Sequence, residues 1–129
     1  MIHEVNEPLA FIMEDDPKLA FIFEKCVKTS GFRTIVAADG GEAVELMETY
    51  TPDLFVLDLH VPVYSGDQIL EMIKANPRFD HAKIILATAD ARMAELLRPE
   101  VHYVLDKPIS SRQLKRLMER LVEQVSKPV

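Results

Sequence analysis

Short apolar runs alternate with longer amphipathic segments along the whole chain. Five runs have the length and aliphatic character of strands: "LAFIM" (9–13), "RTIVAA" (33–38), "PDLFVLD" (52–58), "KIILAT" (83–88) and "VHYVL" (101–105). The segments between them repeat with helical spacing. "DPKLAFIFEKCVKTSG" (16–31) has Asp16 as N-cap, Pro17 at the first helical position and Gly31 as its stop. Leu19, Ile22 and Cys26 follow at helical spacing, so Cys26 reads as a core thiol. "GGEAVELMETY" (40–50) puts Ala43, Leu46 and Met47 on one face, and "SGDQILEMIKANP" (65–77) turns Ile69, Met72 and Ile73 inward. "DARMAELLRP" (90–99) is a short helix ended by Pro99, and "SSRQLKRLMERLVEQV" (110–125) carries the stripe Leu114, Leu117, Leu121 and Val125. Strict β–α alternation implies parallel strands with helical crossovers, and continuously apolar strands are those buried on both faces. The expected fold is α/β: a doubly wound, five-stranded parallel sheet flanked by five helices.

Composition narrows this picture. The chain has 129 residues, 48% hydrophobic and 28% charged, the profile of a single soluble domain. A net charge of −6 without a basic cluster argues against direct nucleic-acid binding. Cys26 is the one cysteine, so no internal disulfide or multi-cysteine metal site forms, and an intracellular, cytoplasmic setting is expected. No run approaches the roughly 18 apolar residues of a membrane span. "MIHEVNEP" does not resemble a signal peptide, and 1–8 reads as a flexible leader before a domain at 9–125, with a short tail at 126–129. His3, His81 and His102 show no metal-ligand spacing, and the methionines read as packing.

Open parallel sheets bind ligands at the carboxyl ends of their strands. Strand 1 runs out into Glu14, Asp15 and Asp16; strand 3 ends in Asp58; strand 4 ends in Thr88; strand 5 leads through Asp106 to Lys107 and Pro108. Asp53, at the start of strand 3, falls at the opposite edge. Asp16 is assigned to capping. Glu14, Asp15 and Asp58 gathered at one rim repel, and a hard divalent cation, Mg²⁺ or Mn²⁺, relieves that repulsion. With the metal present Asp58 is a nucleophile toward phosphorus, and the phosphoryl oxygens find donors in the metal, the Thr88 hydroxyl and the Lys107 ammonium.

The motifs "IMEDDP", "PDLFVLDLHVPVYSG", "IILATAD" and "LDKP" together resemble the receiver domain of two-component response regulators, over about Leu9 to Val125. The resemblance implies a flavodoxin-like strand order 2-1-3-4-5. It implies Asp58 as phosphoacceptor, Glu14 and Asp15 as the acidic pair for Mg²⁺ with Asp15 the direct ligand, and the backbone carbonyl of His60 as a further ligand. Thr88 and Lys107 would meet the phosphoryl group. Pro62 and Gly66 match the loop after strand 3, and the Lys107–Pro108 bond is often cis in this family. His60 and Asp90, two residues after Asp58 and Thr88, occupy positions that tune dephosphorylation. Asp90 orients a water or caps helix 4, and the His60 side chain is expected to point to solvent.

Two departures stand out. The family's aromatic switch lies three residues before the strand-5 lysine, where this chain has Val104; Tyr103 is one place earlier and serves only if strand 5 is shifted or bulged. The interval from Thr88 to Lys107 is short, with "RPEV" in place of a glycine-containing turn, so helix 4 should be short. Both fall on the family's usual output face of helix 4, strand 5 and helix 5. The leading expectation is a phosphorylatable receiver, not a conventional turnover enzyme. It would be served by a sensor histidine kinase or a histidine phosphotransfer protein and would relay signal to a downstream protein, with a phosphorylation-dependent homodimer as one form of output. A receiver-like scaffold that does not switch is the alternative. An Mg²⁺-dependent phosphatase fits less well, because His60 stands where such enzymes carry a second acid. A nucleotide-binding Rossmann domain lacks its G-x-G-x-x-G.

Overall fold

The computed structural model describes residues 7–125, so most of the expected leader and all of the expected tail lie outside the described residues. The elements are β1 (Leu9–Met13), α1 (Pro17–Thr29), β2 (Arg33–Ala37), α2 (Gly40–Thr49), β3 (Leu54–Asp58), α3 (Gly66–Ala75), β4 (Lys83–Thr88), α4 (Ala91–Leu97), β5 (Tyr103–Asp106) and α5 (Ser111–Val125). Single 3₁₀ turns follow α3 at Pro77–Phe79 and α4 at Arg98–Glu100. All strand pairs are parallel and the sheet order is β2-β1-β3-β4-β5.

Alternate side chains of each strand leave the sheet on opposite faces. Phe11, Met13, Phe55, Leu57 and Leu86 enter one core with Met47, Ile69 and Ile73. Ala10, Ile12, Leu54, Val56 and Ile85 enter the other with Phe23 and Val27 of α1 and Leu114, Met118 and Leu121 of α5. Apart from the half-buried Lys83 that opens β4, the central strands are buried because helices cover both faces, which is why they read as apolar runs. Local signals set the helix starts. Lys18 N donates to the Asp16 carboxylate at 3.0 Å, with Pro17 opening α1. Ser65 and Gln68 form a capping box at α3.

Three core assignments change. The buried stripe of α1 is Phe23 and Val27; Ile22 is 48% exposed and Cys26 half-buried beside α5, because tertiary packing selected the neighbouring stripe of a helix apolar on more than one side. In α5 Met118 is fully buried, while Leu117 and Val125 are only partly covered. Leu70 joins Ile69 and Ile73 inside, and Met72 is half-buried.

β5 begins later than its apolar run. His102 N donates to Ile84 O and Lys107 N to Thr88 O. The donors are five residues apart and the acceptors four, so the β5 side carries one extra residue, a bulge at its start. The His102 ring fills the gap: Ile84 N donates to its Nδ1 at 3.0 Å. Beyond the bulge Tyr103 packs with the α1/α5 core and Val104 with the core that Met93, Leu97 and Val101 join. Tyr103 therefore points away from the α4 side even with the strand bulged. α4 has seven residues, the short helix expected there.

Candidate functional site

The carboxyl ends of β1 and β3 are adjacent in the sheet although α1, β2 and α2 lie between them in sequence. This is the point where strand order reverses, the usual place for a ligand in an open α/β sheet. Glu14 follows β1 and Asp58 closes β3. One carboxylate oxygen from each of Glu14, Asp15 and Asp58 lies within 4.8 Å of the others. Glu14 and Asp58 are buried, at 2% and 4% exposure, whereas Asp15 is open to solvent. Asp58 thus sits deeper than a rim residue, at the floor of a crevice whose mouth is Asp15.

Lys107 reaches in from the end of β5. Its Nζ donates to Glu14 Oε1 at 2.9 Å and to Asp58 Oδ2 at 3.2 Å. The other Asp58 oxygen, Oδ1, accepts from His60 N at 3.1 Å, and Glu14 Oε2 accepts from Asp16 N at 3.2 Å. Burial pushes the Glu14 carboxyl up to about 7, with the charge of Asp58 adding to it and the Lys107 and Asp16 hydrogen bonds pulling down. Burial works against the Lys107 ammonium, but the bond to Glu14 and the charges of Asp58 and Glu14 outweigh it, and its pKa is raised.

Three carboxylates face one ammonium, leaving two negative charges when all are ionised. A single divalent cation balances that excess. The donor set is all oxygen, two groups buried and one exposed, which suits a hard cation that keeps part of its water. The residues present therefore fit Mg²⁺ or Mn²⁺.

Thr88, 1% exposed, ends β4 beside Asp58 in the sheet, whose register pairs Asp58 with Ala87. Its Oγ1 accepts from Asp90 N at 2.9 Å, which leaves the hydroxyl proton free to donate. Asp90 caps α4 through Met93 N at 3.0 Å, and its carboxylate also meets His60 Nε2 at 3.3 Å. The Met93 amide, and then His60, hold the Asp90 carboxyl below its usual range. So His60, mostly exposed, is paired rather than free: a hydrogen bond links the β3–α3 and β4–α4 loops beside the crevice. The sequence places both residues at the same edge of the sheet, but their direct contact is visible only in the fold.

The β3–α3 loop is closely seated. A Cβ on Gly66 would lie 2.4 Å from Asp58 O, and one on Gly40 2.2 Å from Tyr64 O. Gly40 N donates to Pro62 O at 2.9 Å, and Val63 takes a positive φ of 77°. The Lys107–Pro108 bond is cis. Asp53 lies at the far edge, where it accepts from Leu9 N at 2.9 Å and pairs with His81 at 3.4 Å.

Comparison with known proteins shows the family and the fold of this chain. The family model for the response regulator receiver domain matches residues 10–119. The sensor histidine kinase TmoS of Ectopseudomonas mendocina is 32% identical over 120 residues, which are 91% of this chain and 12% of that kinase. Regulator of RpoS from Escherichia coli (strain K12) is 34% identical over 111 residues, 84% of this chain and 32% of that protein. The chain thus spans less than a third of either relative's length. Among solved structures, the receiver domain of sensor histidine kinase PA1611 from Pseudomonas aeruginosa PAO1, with a magnesium ion coordinated in its active site cleft, superposes with a TM-score of 0.78 at 26% identity. The match covers 91% of this chain and 98% of that one.

Proposed function

The chain belongs to the response regulator receiver domain family of two-component signalling, and from that premise we propose that Asp58 accepts a phosphoryl group. The donor is a phosphohistidine on a sensor histidine kinase or a histidine phosphotransfer protein. A carboxylate oxygen of Asp58 forms a bond to phosphorus as the phosphorus–nitrogen bond of the donor breaks. The imidazole leaves with the electron pair and takes a proton from solvent. The observation that carries this reading is the Lys107 ammonium, 3.2 Å from Asp58 at a three-carboxylate crevice.

Glu14, Asp15, Asp58 and the His60 carbonyl would hold a divalent cation, which supplies charge neutralisation for the phosphoryl oxygens. Lys107 releases one carboxylate contact to meet a phosphoryl oxygen, and Thr88 donates its hydroxyl to another. The His60–Asp90 bridge stands beside the approach of hydrolytic water, so these two side chains set the persistence of the phospho-state. The chain acts as a phosphoacceptor that assists its own phosphorylation and dephosphorylation, in the cytoplasm, and signals to a downstream protein.

The intact mass tests this. With Mg²⁺ and a small-molecule phosphodonor the wild-type chain should gain one phosphoryl group, and Asp58→Asn or a metal-free sample should gain none. A folded, Mg²⁺-binding wild type that never gains the adduct, even at short reaction times, would count against the assignment.

One observation favours a second reading, the scaffold that does not switch. Val104 faces the α4 side and Tyr103 the α5 side, so no aromatic of β5 lies where it can follow Thr88. A stable phosphoryl analogue that binds at Asp58 yet leaves the amide spectrum of α4 and β5 unchanged would support that reading.

A further inference from the structure

β5 is an edge strand, paired with β4 alone. Lys107 N donates to Thr88 O, and Thr88 is in register with Asp106. In a parallel ladder that phase turns the amide and carbonyl of Asp106, and by alternation those of Val104, away from β4 toward the open edge. A groove of about 420 Å³ runs beside this edge, between β5 and α5. Its other wall carries Arg112, Arg116 and Arg120. These lie at i, i+4 and i+8, one ridge of α5, and all three are exposed.

Like charges at this spacing disfavour a helix. Among the described residues no carboxylate lies within ion-pair distance of any of the three, although the chain as a whole is acidic, with a net charge of −6. An unpaired strand edge is also a feature that proteins ordinarily cover or blunt. Here both occur on the two walls of one groove.

We propose that this groove takes an extended acidic segment of a partner protein, which adds to the sheet as a strand beside β5 and sets alternate carboxylates against Arg112, Arg116 and Arg120. The spacing supports it. Four residues of helix rise about 6.0 Å, and two residues of strand about 6.6 Å. An acidic residue at every second position of a strand therefore keeps step with a guanidinium at every fourth position of α5. Main-chain bonds to Val104 and Asp106 supply the docking, and the carboxylates supply selection. The groove lies at β5 and α5, apart from the Asp58 crevice, and its binding does not require phosphorylation.

The test uses the full chain and capped peptides of about nine residues, one alternating Glu with Thr and an isomer with its glutamates in a single block. Binding is read by fluorescence polarisation, and hydrogen exchange by nuclear magnetic resonance. The alternating peptide should bind about tenfold more tightly than its isomer. It should weaken with added salt and protect the Val104 and Asp106 amides from exchange. Replacing Arg112, Arg116 and Arg120 by Gln together should cost about tenfold in affinity or more. The Asp58 adduct should still form in that variant, which separates failure here from failure at the crevice. Equal binding of the two isomers, or no protection of Val104 and Asp106, would overturn the proposal. So would a short single-stranded nucleic acid that outcompetes the peptide, or a self-associated form that excludes it.

Discussion

Glu14 is the residue whose chemistry the fold changes most. Its carboxyl is buried between an ammonium and a second carboxylate, and burial lifts its pKa to about 7. A folded pKa above the ordinary value of 4.5 means the metal-free fold prefers the protonated acid. Its contribution to stability is full below 4.5 and is lost as the pH rises through about 7. If Glu14 holds the cation as proposed, binding would require the ionised form, and protons and Mg²⁺ would compete for the same oxygens. Titration calorimetry should show Mg²⁺ affinity weakening as the pH falls through about 7. In Glu14→Gln the affinity should be lower at neutral pH and flatter across that range. An equally steep pH dependence in the variant would assign the competing proton to another group.

The β3–α3 loop beside the crevice needs one backbone conformation that its residue resists and one close approach that only glycine allows. In the β3–α3 loop Val63 has a φ of 77°, costly for a β-branched residue, and its side chain is 71% exposed. Val63→Asn should stabilise the fold by about 1 kcal/mol, since Asn tolerates that region and little packing is lost. Gly66→Ala should destabilise it by about 2 kcal/mol or more, because the new Cβ meets main-chain atoms of Asp58 and Leu59 rather than a movable side chain. Urea midpoints of the two variants decide both. At the other end of the sheet the β5 bulge rests on His102, whose Nδ1 must be unprotonated to accept from Ile84 N. Burial, followed by the charges of Lys83 and Lys74, lowers its pKa. The contribution of the neutral ring is therefore present above 6.5 and lost as the pH falls below it, through the lowered folded value. The stability difference between wild type and His102→Ala should shrink over that range in denaturant titrations.

On the scale of the molecule, the crevice is assembled from parts that are distant in sequence. Lys107 and Glu14 are 93 residues apart, and Lys107 and Asp58 49. A ligand that binds the assembled crevice and not the unfolded chain stabilises the whole fold, by about 2.7 kcal/mol at a hundredfold excess over its dissociation constant. Mg²⁺ should accordingly raise the thermal midpoint followed by circular dichroism, and Asp15→Asn should reduce that rise. Asp15 is exposed, so its substitution tests the metal without opening the core. No helix among the described residues is long and apolar enough to cross a membrane.

Much of this protein was determined by the sequence alone. The alternation of apolar runs and helical segments specified the parallel sheet, because strands covered on both faces must be apolar throughout. Once the strands were parallel, Glu14, Asp58, Thr88 and Lys107 had to arrive at one edge, since each lies at the end of its own strand. Which stripe of α1 is buried was left to packing. Phe21, Ile22 and Phe23 are adjacent apolar residues, and α5 and the sheet cover Phe23. The folded structure also decided the direction of Tyr103, because side-chain sense along a strand depends on a single residue of register and β5 takes its register from β4. The His60–Asp90 contact and the groove between the β5 edge and the arginines of α5 belong to the same class. They are contacts between loops and elements whose separation in space is set by packing, a quantity that no local pattern along the chain encodes.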